Sequence, residues 1–259
     1  MARSISILGS GWLGLALAEH FVNQNYTVKA STRSENRFAE IRKIGAEPFK
    51  IDIEKLSTNL AKFLQSELLI VNITSKDLVA YQELIQAIEE SPVKYVLFVS
   101  STSVYENNNT FVKEDDGDED LKSILYRIEN LFRFNIHFKT AVIRFAGLVG
   151  YSRHPGKWFA NKPVSQPDAP INLIHRDDCI GIIDAVIKQG AWDEVFNGCS
   201  SEHPTKREFY THARQLLNLP APEFLEDEEP DFKIVSNEKV IKELSYNFIY
   251  PDLLAYKEF

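Results

Sequence analysis

The amino-acid sequence predicts an α/β protein built on a doubly wound parallel sheet. Short β-branched or apolar runs alternate with helical-period segments through the first 150 residues, which predicts right-handed crossovers. The runs are continuous and do not alternate apolar with polar, as strands buried on both faces of a parallel sheet should be.

The strands are expected at Ser4–Leu8, Thr27–Ser31, Glu47–Ile51, Leu68–Ile73, Tyr95–Ser100 and Thr140–Phe145. Between them, apolar residues recur with helical period over Leu13–Asn23, Arg37–Ile44, Leu56–Gln65, Asp77–Glu90 and Leu121–Phe134. The polar, acidic stretch Asn107–Asp120 reads as a surface loop. After Gly150 the character changes. Tyr151–Pro170 holds Pro155, Pro163, Pro167 and Pro170 and reads as loop. Cys179–Lys188 is an apolar helix with Asp177 or Asp178 as candidate cap. Val195–Gly198 reads as a strand, and Thr205 with Glu208 forms a capping box that opens a helix running to about Leu217. Pro220–Asp231 reads as a solvated acidic loop. Residues 1–150 thus form the core domain, which also takes in parts of 172–200, and 151–259 form mainly a small second subdomain.

The chain is 44% hydrophobic and 25% charged, an ordinary globular composition, with 17 Phe and 10 Tyr for a core. A formal net charge of −8 without a basic run argues against nucleic acid and anionic membrane as partners. No second run is long enough for a membrane span. Ile5–Ala18 superficially copies a signal peptide, but Gly9, Gly11 and Gly14 interrupt it and Glu19-His20-Phe21 continues a helical pattern. Two cysteines, Cys179 and Cys199, make no disulfide scaffold and fit a reducing, cytoplasmic setting.

Gly9-Ser10-Gly11-Trp12-Leu13-Gly14 follows the first strand and opens the first helix. The spacing has a physical reason. Gly9 permits a tight turn, Gly11 lets backbone approach a pyrophosphate, and Gly14 lets the helix pack closely on the strand. The helix N-terminus meanwhile offers free N–H groups and a positive dipole end. Between a strand and a helix, in a chain of βα units, this is a dinucleotide site of Rossmann type. An NAD site carries an acid at the end of the second strand. Here that strand ends Ala30-Ser31-Thr32-Arg33. Arg33 can pair with a 2′-phosphate and Thr32 can donate to it, so NADP(H) is favoured over NAD(H). The blander reading of Arg33 is a solvated loop charge.

Along nearly its whole length the chain resembles the extended, atypical short-chain dehydrogenases/reductases, in particular the NAD-dependent epimerase/dehydratase-like members. Ser100-Ser101 through Val104-Tyr105 resembles the S-S-x-x-V-Y end of the family's central strand. Arg144 through Gly150 resembles its R-x-x-x-x-Y-G region, with Val149 in place of Tyr. Ile174-His175-Arg176-Asp177-Asp178 resembles its I-H-V-D-D segment, and Phe196-Asn197-Gly198 its Y-N-V strand. The resemblance implies that Asp52 contacts the adenine amino group with Ile53 beside it. Ile73 and Thr74 would line the adenosine ribose and diphosphate, and Ser101 would be the catalytic hydroxyl. It implies a small-molecule substrate, a nucleotide-sugar or another carbonyl or hydroxyl compound, met by the loop Tyr151–Lys162. A homodimer through the helix Leu121–Phe134 is the family habit. His175 with Asp177-Asp178 is read as structural and not as a metal site.

The catalytic pattern departs from the family. Its base is a Tyr whose phenol is acidified by a Lys four residues on, and this sequence has no such pair. Tyr126 is the nearest candidate, with Asn130 where Lys belongs. In the alternative register, set by Glu129, Leu121 and Leu125 occupy the two positions. Lys122, Tyr105, Arg153 and His154 are other candidate groups. Two functions therefore stand side by side. One is an oxidoreductase or epimerase/dehydratase relative with a rearranged site. The other is a non-catalytic NADP(H)-binding sensor or regulatory module.

Overall fold

The structure, a computed structural model, describes residues 4–55, 59–226 and 229–257. Its elements are, in chain order, β1 (Ser4–Leu8), α1 (Trp12–Asn23), β2 (Thr27–Thr32), α2 (Phe38–Lys43), β3 (Glu47–Lys50), α3 (Leu60–Phe63), β4 (Leu68–Val71), α4 (Leu78–Glu89) and β5 (Tyr95–Ser101). There follow β6 (Phe111–Val112), α5 (Ile124–Arg133), β7 (Lys139–Phe145), β8 (Gly147–Val149), β9 (Leu173–His175), α6 (Arg176–Gln189), β10 (Val195–Gly198), α7 (Lys206–Gln215), β11 (Ile234–Val235) and α8 (Glu238–Glu243).

The main sheet has seven strands in the order β10-β7-β5-β4-β1-β2-β3, and the neighbours from β5 to β3 pair in parallel. The doubly wound α/β fold is therefore as the sequence predicts. Strand order reverses between β1 and β4, the place where open α/β sheets bind ligands.

The chain divides into two compact units interleaved in sequence. The first comprises Met1–Ser100, Leu121–Ile143 and Val186–Val195, and the second Ser101–Asp120, Arg144–Ala185 and Phe196–Phe259. In the first unit, Phe98 and Phe132 stack at 4.8 Å with Tyr81 edge-on to Phe132, so α4 and α5 are seated against β5 by aromatic packing. Lys29 stands inside β2, where an apolar residue is expected. It is tolerated because its Nζ donates to the carbonyls of Lys62 at 3.0 Å and Gln65 at 2.6 Å, at and just past the end of α3.

Several expectations shift. The helix expected over Leu121–Phe134 begins at Ile124, capped by the Ser123 hydroxyl accepting from Tyr126 N–H, and Leu121 lies outside it, 77% exposed. The helix expected over Leu56–Gln65 is reduced to α3, and residues 56–58 lie outside the described residues. Asn107–Asp120 is more than a surface loop. It carries β6, which pairs with β11, and the buried Glu114, whose carboxylate accepts the Asn197 N–H at 2.7 Å. The cap of α6 is neither Asp177 nor Asp178, for His175 Nδ1 accepts the Asp177 N–H. The capping box of Thr205 and Glu208 is formed as expected. Among the described residues no helix is long and apolar enough to cross a membrane.

Asp178 is a structural anchor of the second unit. Fully buried, it accepts from Tyr246 Oη at 2.9 Å, Ile249 N–H at 2.7 Å and Tyr250 N–H at 2.9 Å, tying the C-terminal segment to α6. Removing it strands two backbone donors and a phenol. Asp178→Ala should therefore lower the urea unfolding free energy by about 2–4 kcal/mol, and Asp178→Asn, which keeps one acceptor, by less. A loss below about 0.5 kcal/mol for Asp178→Ala would show that this carboxylate does not hold the segment.

Candidate functional site

A cavity of about 690 Å³ opens at the switch point of the first unit. That volume lies within the range of ligand sites. Its wall is made by Leu8–Gly11 after β1, Ser31–Ser34 and Arg37 after β2, Ile51–Glu54 after β3, and Asn72–Lys76 after β4.

The turn between β1 and α1 is crowded from below and open above. Gly9 has a φ of +99°, the left-handed region that glycine alone enters without strain. A Cβ on Gly9 would overlap the Asn72 carbonyl, and one on Gly14 would overlap the Gly9 carbonyl. A Cβ on Gly11 would meet nothing within 4 Å. Gly9 thus makes the tight turn and Gly14 the close packing of helix on strand, while Gly11 leaves open space above the turn. The turn is also stitched to β2 and β4. Ser31 Oγ accepts the Gly9 N–H at 2.9 Å, while the Ser31 carbonyl accepts both the Ser10 N–H at 2.8 Å and Ser10 Oγ at 2.7 Å. Asn72 Nδ2 donates to the Gly9 carbonyl at 3.0 Å. The first helical bond is Leu15 N–H to the Gly11 carbonyl, so the amides of the first turn of α1 lie ahead of the helix's own hydrogen-bond ladder. A phosphate over Gly11 would meet those amides and the positive end of α1.

The cavity brings together Gly9, Gly11, Thr32, Arg33, Asp52, Ile53, Ile73 and Thr74 of the expected cofactor residues. Trp12, Leu13 and Gly14 are not in its wall and lie in the first turn of α1, with Leu13 buried. Sequence reasoning missed Ser10, Ser31, Ser34, Arg37, Asn72, Ser75 and Lys76, which also line it. The carboxylates are partly spoken for. Glu54 accepts Ser75 Oγ at 2.6 Å, and Asp52 lies 3.6 Å from Lys55 Nζ.

Ser101 ends β5, and its hydroxyl accepts the Ser103 N–H at 3.1 Å, capping a turn of 3₁₀ helix. Tyr126 lies in the first turn of α5, half-buried. One turn on, Asn130 accepts from Arg133 Nη1 at 3.3 Å. Glu129 is fully buried, accepting Ser100 Oγ at 3.0 Å with Arg133 Nη1 at 3.5 Å. In the register set by Glu129, Leu121 precedes the helix and carries no phenol or ammonium.

Among the other candidate groups, Tyr105 is buried with its phenol bonded on both sides. Its phenol donates to Asn197 Oδ1 at 2.9 Å and accepts from the fully buried Arg144, which also pairs with Glu119 at 2.7 Å. Burial drives the Tyr105 pKa above its ordinary value in spite of Arg144. His154 Nδ1 is held by the Gly156 N–H, and burial lowers its pKa.

Sheet order and glycine turn define the class, a Rossmann-type NAD(P)-binding fold. Residues 9–129 match the NAD(P)H-binding protein family, a stretch that begins at the first glycine of the turn and ends in α5. Along its length the chain is similar to Protein YeeZ of Escherichia coli strain K12, with 27% identity over 269 residues that cover 98% of each chain. Three solved structures share the fold. A functionally unknown conserved protein of Silicibacter pomeroyi has a TM-score of 0.83 at 20% identity, covering 99% of this chain and 97% of that one. UDP-glucuronic acid 4-epimerase of Bacillus cereus in complex with NAD has a TM-score of 0.78 at 18% identity, covering 99% and 96%. A short-chain dehydrogenase/reductase superfamily protein of Agrobacterium tumefaciens with bound NAD has a TM-score of 0.77 at 15% identity, covering 95% and 92%. The resemblance to epimerases and short-chain dehydrogenases/reductases stated from the sequence thus holds for the fold as well.

The two glycines that face opposite demands give a direct test of the turn. Gly14 is helical, where alanine normally stabilises by about 1 kcal/mol. Gly14→Ala should instead destabilise by about 1–3 kcal/mol in urea, because its methyl must displace the Gly9 carbonyl. Gly11→Ala should leave stability within about 0.5 kcal/mol of wild type. A stabilised Gly14→Ala variant would refute the crowding.

Proposed function

We propose that the chain binds NADP(H) in the first-unit cavity and acts on a carbonyl or hydroxyl compound, as an oxidoreductase or a relative of nucleotide-sugar epimerases and dehydratases. One observation carries the cofactor choice. The wall after β2 presents Thr32, Arg33, Ser34 and Arg37, while the one acid of that segment, Glu35, pairs outside it with Lys50 at 3.0 Å. An adenosine ribose placed there meets guanidinium groups and hydroxyls, which suits a 2′-phosphate, and the β2–α2 segment itself puts no carboxylate in the wall for free ribose hydroxyls.

The residues divide the work. Gly11 and the first-turn amides of α1 hold the pyrophosphate. Asp52 and Ile53 face the adenine, and Ile73 and Thr74 the ribose and diphosphate. When bound, the nicotinamide supplies or accepts hydride. Ser101 holds the substrate oxygen, and Tyr126 is the candidate proton donor or acceptor, without the lysine that would acidify it. The two buried, free thiols Cys179 and Cys199 fit a cytoplasmic protein.

Asn130 at the lysine position favours a second reading, a sensor that binds NADP(H) without turnover. Titration followed by nicotinamide fluorescence separates these ideas. NADPH should bind with micromolar affinity, and NADH at least about tenfold more weakly, the worth of one charge-assisted contact. Equal affinities would remove the NADP(H) preference, and binding of neither nucleotide would remove the reading. Turnover of a carbonyl or UDP-sugar panel, lost in Ser101→Ala and Tyr126→Phe, would decide for the enzyme over the sensor.

The α4–α5 face carries a shallow groove lined by Gln82, Ile85, Arg127, Asn130, Leu131 and Phe134, with Phe134 73% exposed. We assign this face to a homodimer. Light scattering should give twice the chain mass for wild type and the single mass for Phe134→Asp. A monomeric wild type at micromolar concentration would overturn the assignment.

A further inference from the structure

We infer that Arg37 is a second, pre-positioned cation of the 2′-phosphate pocket, one that reads the phosphate together with Arg33 and links that pocket to the glycine turn. This rests on the reading that the cavity takes NADP(H).

Arg37 closes the short 3₁₀ turn Glu35–Arg37 between β2 and α2, and its side chain stands in the cavity wall beside Ser10, Thr32, Arg33 and Ser34. Its guanidinium is fixed from two sides. Nη1 donates to the Ser10 carbonyl at 2.5 Å, while Nε and Nη2 both lie 2.9 Å from Glu40 Oε2. A guanidinium has five N–H groups in a rigid plane. These bonds engage one on each nitrogen, so Nη1 and Nη2 each keep one N–H for a further acceptor.

The partners do not cancel the charge. Ser10 offers a neutral carbonyl, and Glu40 is 48% exposed, so solvent screens its carboxylate. Arg33, by contrast, is exposed and reaches the wall from the end of β2. The pair therefore combines one bonded and one solvent-exposed guanidinium, and the bonded one loses little side-chain entropy on binding. A phosphate monoester has enough oxygens to accept from both. Lys76, the other cation of this wall, comes from the segment after β4 and not from the β2–α2 segment.

Arg37 also holds Ser10, whose N–H and Oγ are bonded to the Ser31 carbonyl. A residue that only clamped the turn would support NADPH and NADH alike, because both place their pyrophosphate there. A residue that reads the 2′-phosphate supports NADPH and leaves NADH unchanged. The two roles therefore separate in the ratio of affinities.

The experiment is calorimetric binding of NADPH, NADH and 2′,5′-ADP to wild type, Arg37→Ala, Arg37→Lys and Arg33→Ala, with urea unfolding of each. Arg37→Ala should weaken NADPH and 2′,5′-ADP roughly 10- to 100-fold, as loss of one charged contact does, and NADH by less than about threefold. Arg37→Lys keeps the charge but not the fork and should recover part of that loss. An equal fall for NADPH and NADH would reduce Arg37 to a clamp, and an unchanged NADPH affinity would make it a surface charge; either overturns the inference. Wild type that binds neither nucleotide, or both equally, fails the NADP(H) reading itself, and does so before any variant is made.

Discussion

The contact of Gly14 with the carbonyl of Gly9 governs the first unit. It brings the start of α1 so close to the end of β1 that no side-chain carbon fits between them. The Gly9 carbonyl can face that way only because Asn72 Nδ2 satisfies it, and the Gly9 and Ser10 amides turn to Ser31. Strands β1, β2 and β4 are thereby joined at their ends by side chain-to-backbone bonds in addition to their ladders. The cavity is the space left above this knot. Its floor is closed, because the N–H and C=O groups of Gly9 and Ser10 all have partners within the fold. The one position left bare, Gly11, is the one where a phosphate can approach.

Strand β2 shows how a polar sequence can be buried in a parallel sheet. Thr27–Thr32 contains Lys29, Ser31 and Thr32, where the strand pattern alone asks for Val or Ile. Each polar side chain meets a backbone group that the helices and turns leave over. Lys29 takes the last carbonyls around α3, Ser31 the Gly9 amide, and Thr32 Oγ1 the Ser34 N–H at 3.3 Å. The desolvation cost of these groups is thus offset locally. The same strand delivers Thr32 and Arg33 to the cavity, so one stretch of chain holds the turn and lines the site.

What was legible in the sequence is what depends on near neighbours. The glycine spacing, the Thr205–Glu208 capping box and the runs of apolar residues all act within a few residues, and most corresponding elements stand within a residue or two of expectation, whereas the helices expected from Leu56, Leu121 and Cys179 begin at Leu60, Ile124 and Arg176. Contacts between distant positions were not legible. Nothing near Ser31 announces that it will hold Gly9, and Arg37 looks like an ordinary helix-start residue until it reaches the Ser10 carbonyl. The pairing of β6 with β11 joins Phe111 to Ile234, so a polar stretch that reads as loop becomes a strand only in the folded chain. His175 gave no capping signal because histidine is uncommon at that position, whereas the two aspartates after it fit the usual preference.

The α5 region separates binding from chemistry. Asn130 is engaged by Arg133, which also meets the buried Glu129. Glu129 in turn fixes Ser100 at the end of β5. This helix is therefore held to the sheet by a carboxylate-centred network that asks nothing of a tyrosine–lysine pair. The bonds of Gly9 and Ser10 in the glycine turn run to Ser31, Asn72 and Arg37, away from α5. Substitutions on α5 that leave the Glu129 network in place should then disturb neither the fold of α5 nor the shape of the cavity. The glycine turn and the helix α5 are thus held by separate sets of bonds, so a change in one leaves the geometry of the other in place.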